Sequence, residues 1–301
     1  MNRPSARRLR VTAGLVLVIA ALLPAACGGS EGPDSSASQP AQFDQQLHNL
    51  LPQAIRSRGY LRVGTDASYA PMSSFGPGGL TIVGVEPDLG VQIGRILGVR
   101  LQFGNVDFVK LRGRVASGGL DLAISAMTDT PESARSGDFV NYFRAGTSIV
   151  VQRGNPAGIT ELNDLCGKVV AVESGTTQVD LLERTQLSCV NKRIIVNTYP
   201  TNSDALVQLR TGRAIAVLND YPPAVFLVND IRTRSQYQLA SALQYEPGPY
   251  GVFVAKTQPG LRVAVQGALE QLLRSGGYAG ILDRWHVRDG AVQQITINSS
   301  R

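Results

Sequence analysis

The hydrophobic and polar residues of this 301-residue chain follow two periods, one typical of strands and one typical of helices. The segment YLRVGTD alternates as a strand does and ends at the polar Asp66. The next long segment has apolar residues at helical spacing from Val85 to Leu97, and Gly98 marks its end. Strand, helix and buried strand then follow in LQFGNV, FVKLRGRVASG and LDLAISAM. This alternation predicts an α/β fold with largely parallel strands.

A second series of the same kind begins near GTSIVVQRG. Its predicted strands are KVVAVESG, RIIVNTY and RAIAVLND, and its predicted helices are TTQVDLLERTQL and TNSDALVQLRTG. A strand, YGVFVAK, and closing helices complete the chain, and a short amphipathic helix, FDQQLHNLLPQAIRSRG, precedes the first strand. Two successive α/β series predict two lobes with a cleft between them.

The stretch MTDTPESARSGDF follows an apolar run and carries the signals of a helix start. Thr130 is suited to the N-cap position, and Pro131 and Glu132 are suited to the first turn. A helix that begins directly after a strand often binds an anion with its free N–H groups. We therefore predict a strand-to-helix turn that holds the anionic end of a ligand.

The net charge of +6 does not indicate nucleic-acid binding, because four arginines lie within the first ten residues. About +2 remains for the rest of the chain, without a basic stripe. The charged start and the apolar run VTAGLVLVIAALLP predict a signal peptide over residues 1–27. Cys27 follows two alanines and resembles the lipidated cysteine of bacterial lipoproteins, although Pro24 departs from that pattern. Ordinary cleavage after Ala26 is the alternative.

Residues 28–44 form a polar, tether-like linker that suits a protein anchored by lipid to the outer face of the bacterial cell membrane. In an exported protein the two remaining cysteines, Cys166 and Cys189, most simply form a disulfide. With only His48 and His286 besides, they make no metal-binding cluster, and we expect no metal and no cofactor. The chain has no G-x-S-x-G elbow and no nucleotide-binding loop, so we expect no catalytic residues.

The segments in their order resemble the family 3 solute-binding proteins of ABC importers, which mostly bind amino acids. The resemblance covers nearly all of residues 60–286 and rests on an ordered set of stretches: LRVGTDASYAPM, GVEPDLGVQIGRILGV, ASGGLDLAISAMTDTPE, DFVNYF, DLCGKVVAVESGTTQ, LRTGRAIAVLND and YGVFVAK. It implies a periplasmic-binding-protein-like fold in which two α/β lobes, joined by two strand crossings, close on a ligand. Lobe 1 would comprise residues 45–147 and 245–301, and lobe 2 residues 148–244.

The resemblance also implies ligand-binding residues in lobe 1. Asp66 matches a carboxylate near the ligand's ammonium or side chain, and Tyr69 and Phe108 match two aromatic walls. Ala126 and Thr128 match a segment whose backbone groups and hydroxyl grip the ligand's carboxylate. A turn-forming aspartate and aromatic residues packed in the core are the alternatives for the first three.

Lobe 2 contains four more candidate ligand-binding residues, three that match the family and one that departs from it. Thr176 and Thr177 begin a helix that follows a strand, so their N–H groups suit an anion, although an ordinary helix cap is the alternative. Asp220 matches the acid that receives the α-ammonium group. Glu173 departs from the family, which often has a neutral or basic residue there, and it either faces the cleft or turns to solvent.

A second departure is Ser133, which stands where the family has an arginine that clamps the ligand's carboxylate. Arg135 is two residues further on, and on a helix its side chain would point about 200° away. A cleft with Asp66, Glu173 and Asp220 but no matched arginine favours a ligand of net positive charge. We therefore expect a cationic amino acid or a related amine, and a polar amino acid if Glu173 faces solvent.

The expected function is the extracytoplasmic substrate-binding component of an ABC importer, acting as a monomer with a membrane permease as its partner. The same lobed cleft would also serve a sensory protein that signals to a membrane kinase. A third alternative is an exported dehydratase of the same fold with paired carboxylates, Asp66 and Glu173, as its acid and base. A member of the family that has lost binding is a fourth, because of Ser133.

Overall fold

The computed structural model describes residues 41–300. The predicted signal peptide, the predicted lipidation site Cys27 and most of the predicted linker lie outside the described residues. Within residues 41–300 no helix has the length and apolar character needed to cross a membrane.

The described residues form thirteen strands and nine α-helices, in chain order. The strands are β1 Tyr60–Thr65, β2 Ser68–Tyr69, β3 Ser73–Phe75, β4 Ile82–Val83, β5 Arg100–Asn105, β6 Leu122–Ala123, β7 Asp138–Gln152, β8 Val169–Glu173, β9 Ile195–Tyr199, β10 Ala216–Asp220, β11 Tyr237–Leu239, β12 Tyr245–Val254 and β13 Ala291–Ile297. The helices are α1 Gln45–Leu50, α2 Gln53–Arg58, α3 Val85–Leu97, α4 Leu111–Ala116, α5 Thr177–Thr185, α6 Asn202–Arg210, α7 Tyr221–Asn229, α8 Pro259–Arg274 and α9 Gly277–Arg284.

Ten strands form one mixed sheet in the order β5-β1-β6-β12-β7-β10-β8-β9, with β11 and β13 also paired to β7. The outer pairs β1–β5 and β8–β9 are parallel, as the alternation of strands and helices predicts. The central strand β7 is 15 residues long and antiparallel to both β12 and β10. Its first part pairs with β12 and β13 and its last part with β10 and β11, so β7 joins the two halves of the sheet.

The apolar cores divide at the same place. Two clusters of buried residues contain Val140, Tyr142, Phe143 and Ala145 from β7 and otherwise residues before 140 or after 249. Two further clusters begin with Ile149 and Val150 on the same strand and contain only residues up to 237. The two-lobed α/β fold is therefore confirmed, whereas the exact lobe boundaries stay a prediction.

Several predicted elements have the expected bounds. The helix α3 ends at Leu97, and Gly98 follows with a φ of 64°, a left-handed conformation that favours glycine. The helix α6 begins after Thr201, whose hydroxyl accepts a hydrogen bond from the Asp204 N–H. The strands β8, β9 and β10 lie within the segments predicted for them.

Other predictions were wrong. The segment predicted as the first helix forms two short helices, α1 and α2. Pro52 favours extended backbone at Leu51 and interrupts the hydrogen-bond ladder between them. The strand predicted after Leu120 is only the two-residue β6, since Ala126 adopts a positive φ of 46°. The helix predicted after Thr130 is a single 3₁₀ turn, Ser133–Arg135. The structure also contains elements that the sequence did not predict, namely α7, β11, β13 and the small sheet β2-β3-β4.

The predicted disulfide is present between Cys166 and Cys189, whose Cα atoms are 5.5 Å apart. Each cysteine directly follows a 3₁₀ turn, Leu162–Leu165 and Gln186–Ser188. The bond therefore ties the segment before β8 to the segment before β9, at a sequence separation of 23 residues. Neither cysteine lines the cavity described below.

Replacing both cysteines, Cys166→Ala with Cys189→Ala, should lower the free energy of unfolding by about 3 kcal/mol, because the open loop gives the unfolded chain more freedom. The measurement is urea unfolding of the variant and of the wild type with and without reductant. Reduced wild type should match the variant, and ligand affinity should be unchanged. An unfolding midpoint that moves in neither case would contradict the prediction.

Candidate ligand-binding cleft

A cavity of about 210 Å³ lies where strand ends from both halves of the sheet meet. Asp66 follows β1 directly, Glu173 is the last residue of β8 and Asp220 is the last residue of β10. Open α/β sheets usually bind ligands at these carboxyl ends. All nine predicted ligand-binding residues line the cavity: Asp66, Tyr69, Phe108, Ala126, Thr128, Glu173, Thr176, Thr177 and Asp220. Their role in binding stays a prediction.

Asp66 is both a turn residue and a cavity residue. Its Oδ1 accepts a hydrogen bond from the Ser68 N–H at 2.8 Å, which forms the local turn. Its own N–H donates to the Ser125 hydroxyl at 2.9 Å, which fixes the end of β1. The carboxyl is buried and also reaches the Glu173 carboxyl. The turn-forming role of Asp66 is therefore compatible with its position on the cavity wall, and its role in ligand binding stays a prediction.

Asp220 is held by groups from three elements. The Tyr69 hydroxyl donates to its Oδ2 at 3.1 Å, and the Gln178 amide on α5 donates to its Oδ1 at 2.6 Å. Its backbone N–H also donates to the Tyr69 hydroxyl at 2.9 Å. Burial raises the pKa of Asp220 to about 6, although the hydroxyls of Tyr250 and Tyr69 and the Gln178 amide act to lower it. The sequence did not predict Gln178 as a site residue, although it follows the candidate residues Thr176 and Thr177 directly.

Glu173 faces the cavity and not the solvent, because it is only 6% exposed and lines the cavity wall. Burial, the Asp66 carboxyl that it contacts and the charge of Asp220 together raise the pKa of Glu173 to about 9. Its Oε1 has no hydrogen-bond partner among the described residues. A buried acceptor of this kind normally costs free energy unless another group satisfies it.

A fully buried carboxyl, Glu86 on α3, shapes the loop that carries Ala126 and Thr128. Its Oε1 accepts hydrogen bonds from the Ala126 N–H at 2.5 Å and from the Tyr142 hydroxyl at 2.6 Å. Burial raises the pKa of Glu86, although these donors and the Ser73 hydroxyl act to lower it. The contact holds Ala126 in its positive-φ conformation, which places the loop against the cavity.

Ser133 lines the cavity without a cationic side chain, and it forms local hydrogen bonds with Thr130. The Ser133 hydroxyl accepts from the Thr130 N–H at 2.9 Å, and the Thr130 hydroxyl accepts from the Ser133 N–H at 3.1 Å. Arg135 is exposed and does not line the cavity, as the sequence analysis expects. Arg112 on α4, which was missed, does line it. The spacing of four residues from Phe108 is the signal that could have found it, because that spacing brings side chains to one helical face.

The N-terminus of α5 forms another part of the wall through Thr176 and Thr177. The Thr176 hydroxyl donates to the Glu173 carbonyl at 2.8 Å and does not cap the helix. The first N–H groups of an α-helix have no acceptor within the helix. They are therefore a suitable partner for an anionic group in the cavity.

Contacts that join residues of the two predicted lobes include three at or next to the cavity lining. The first is the Tyr69–Asp220 pair, and the second is the Asn202 N–H donating to the Ser68 hydroxyl at 3.2 Å. The third is the approach of Val109 to Gly175. A Cβ atom added at Gly175 would lie 2.7 Å from the Val109 Cγ1. Gly175 has a φ of 75°, so its backbone conformation also favours glycine.

The model of a known protein family, described as bacterial extracellular solute-binding proteins, family 3, matches residues 61–288. This chain belongs to that family. The solute-binding protein is 26% identical over 257 residues to the arginine-binding protein ArgT of Corynebacterium glutamicum, covering 84% of this chain and 83% of ArgT. It is 26% identical over 281 residues to the glutamine-binding protein GlnH of Bacillus subtilis, covering 92% of this chain and 97% of GlnH.

Solved structures agree with the assignment. An ancestral arginine-binding protein bound to arginine matches with a TM-score of 0.70 at 32% identity, over 76% of this chain and 98% of that protein. The ancestral amino acid-binding protein AncCDT-1, a precursor of cyclohexadienyl dehydratase, matches with a TM-score of 0.70 at 28% identity, over 79% and 99%. Similar proteins are thus mainly binding proteins, although one is the ancestor of an enzyme.

The cavity of this solute-binding protein is predominantly acidic. One basic side chain, Arg112, lines it, against five carboxylic acids, Asp66, Glu132, Glu173, Asp180 and Asp220. Burial raises the pKa of Asp180, the charge of Arg184 acts to lower it, and the charge of Glu132 acts to raise it further. Within the described residues no group of three or more histidine, cysteine, aspartate or glutamate side chains is arranged to hold a metal ion.

The raised pKa of Glu173 should make the unliganded protein less stable as the pH rises. The unfolded chain ionises this group near pH 4.5, but the folded protein holds its proton up to about pH 9. Between these values the folded state binds more protons, so stability falls by about 1.4 kcal/mol per pH unit. Glu173→Gln lacks this titration, and its stability relative to wild type should increase by about 2–4 kcal/mol between pH 5 and pH 8.

Urea unfolding at both pH values measures this difference. Glu183→Gln is the matched control, because Glu183 lies on the exposed side of α5 away from the cavity. A relative stability of Glu173→Gln that does not depend on pH would contradict the prediction.

Proposed function

We propose that this protein binds a cationic amino acid, or a related amine, and delivers it to an ABC permease in the membrane. The observation that carries the proposal is the convergence of three buried carboxyl groups, Asp66, Glu173 and Asp220, on one cavity. Buried carboxyls without cations are unfavourable, and a cationic ligand would supply the missing charge.

Each part of such a ligand has a suitable partner. Asp220, held by Tyr69 and Gln178, is positioned to accept an α-ammonium group through a charge-assisted contact. Asp66 and Glu173 would receive the side-chain cation, and the rings of Tyr69 and Phe108 would flank its stem. The cavity of about 210 Å³ suits a ligand of amino-acid size.

The carboxylate of the ligand needs a partner other than residue 133. The free N–H groups at the start of α5 and the guanidinium of Arg112 are the two groups of suitable charge on the cavity wall. We propose that they share this role, with the Ala126–Thr128 loop on the opposite side. The arrangement replaces a single bidentate arginine clamp by weaker contacts from two elements.

The relatives support the ligand class and the transport role. ArgT binds arginine and GlnH is the glutamine-binding protein of an ABC transporter, and both match most of this chain. We propose lobes of residues 45–147 plus 245–301 and 148–244, which rotate about β7 and β12. We further propose a monomer held at the outer face of the membrane through Cys27, and import in preference to signalling or to dehydratase activity.

A panel of amino acids and amines in a thermal-shift titration tests the ligand class. Arginine and lysine should stabilise the protein, since their side-chain cations pair with Asp66 and Glu173, and glutamate and aspartate should not. Asp220→Asn should weaken arginine binding by about 100-fold, because a desolvated ammonium would lose its charged partner.

Asp289→Asn is the control for that variant, because Asp289 is exposed and outside the cavity. Stabilisation by acidic amino acids alone would contradict the proposal, as would arginine binding that is insensitive to Asp220→Asn. Conversion of a cyclic carboxylic acid by the purified protein would favour the dehydratase.

Gly175→Ala should weaken ligand binding by about tenfold, because the new methyl group would meet Val109 and resist closure of the lobes. Titration calorimetry measures the affinity. Gly212→Ala is the matched control: its φ of 74° imposes similar backbone strain, but its nearest neighbour would be 3.9 Å away and outside the cavity. The double variant Gly175→Ala with Val109→Ala should regain most of the affinity. Equal losses in the two glycine variants would contradict a role in closure.

A further inference from the structure

The Asp66–Glu173 pair is chemically different from the third acid of the cavity. Asp220 accepts hydrogen bonds from Tyr69 and Gln178 and so has neutral donors for both oxygens. Among the described residues, the Glu173 side chain has the Asp66 carboxyl as its hydrogen-bonding neighbour, and its Oε1 has no partner. Both members of the pair are more than nine-tenths buried.

We propose that Asp66 and Glu173 form an exchange site, in which one proton held between the two carboxyls of the free protein is replaced by the ligand's side-chain cation. The inference rests on the proposed function, because it requires a cationic ligand. It adds a coupling between ligand binding and proton release that amino-acid recognition alone does not require.

The first step of the argument is that two adjacent buried carboxyls do not both ionise without a cation. A neutral Glu173 donates its proton to the Asp66 carboxylate, which explains how the two acids lie in contact. The Asp220 carboxyl and the Tyr69 hydroxyl also act on or respond to Glu173, and neither supplies a positive charge. Arg112, the basic residue on the wall of the same cavity, is not among the groups that shift the pKa of Glu173. The pKa of Glu173, about 9, agrees with a proton held at neutral pH.

The second step concerns the liganded state. A guanidinium has several N–H donors and an ammonium has three, so either cation donates to both carboxylates at once. The cation also donates a hydrogen bond to Glu173 Oε1, which has no partner when the two carboxyls share a proton. With a cation bound between them, the state in which both carboxyls are ionised is favoured over the state in which only one is. The Glu173 proton therefore passes to the buffer.

The third step gives the pH range. Asp220, with a pKa of about 6, is largely ionised above pH 7 and contributes little there. Glu173 remains protonated in the free protein up to about pH 9. Between pH 7.0 and 8.0 arginine binding should therefore release about one proton and strengthen by about tenfold. Citrulline, the neutral analogue of arginine, does not require the exchange and should release none.

The test is titration calorimetry of L-arginine and L-citrulline in buffers of different ionisation enthalpy at pH 7.0 and 8.0. The wild type should show proton release with arginine only. In Glu173→Gln the released proton and the pH dependence of arginine affinity should both vanish. Glu183→Gln, on the exposed side of α5, should behave as wild type.

The possible failures are distinct. Arginine binding that releases no proton, or proton release that survives in Glu173→Gln, overturns the exchange site and leaves the proposed function standing. Equal proton release with citrulline also overturns it, since no cation would then be needed. Absence of binding for arginine, lysine and citrulline alike would overturn the proposed function, and the exchange site with it.

Discussion

The dominant physical constraint in this protein is the meeting of like-charged groups where strands end. The chain places carboxyls at the ends of β1, β8 and β10, and the sheet order brings these ends to one cavity. Three buried acids in such a volume need either protons or cations. The Asp220 carboxyl is satisfied by neutral donors from Tyr69 and Gln178, so the imbalance is concentrated on Asp66 and Glu173. The chemistry of the cleft follows from how that imbalance is relieved.

The fold supports this cluster through contacts that lie outside it. Glu86 is buried beneath the cavity and fixes the Ala126 backbone, and Tyr142 on β7 donates to the same carboxyl. Because β7 runs through both halves of the sheet, the scaffold of the cavity and the connection between the lobes share one strand. Glu86 is therefore a buried acid with a structural role. Both of its oxygens accept hydrogen bonds, whereas Glu173 Oε1 has no donor among the described residues.

Much of this arrangement is predictable from the sequence, because strand periodicity and the polar residue that ends each strand are local signals. Asp66, Glu173 and Asp220 could be placed at strand ends in this way. The 3₁₀ turn at Ser133 could not, since it depends on reciprocal hydrogen bonds with Thr130 that compete with the helix signals of the same residues. Arg112 and Gln178 were missed because their positions depend on the packing of α4 and α5, which strand-end patterns do not report.

The absence of an arginine at position 133 and the presence of Glu173 are connected through the net charge of the cavity. An arginine clamp would add a positive charge near the ligand's carboxylate and partly balance the acids. With Ser133 neutral and hydrogen-bonded to its own turn, Arg112 is the one basic group on the wall within the described residues. The remaining charge must come from the ligand or from protons, so both departures from the family pattern act in the same direction. In the binding mode proposed above, they move selectivity from the α-carboxylate, which every amino acid has, to the side-chain cation, which few possess.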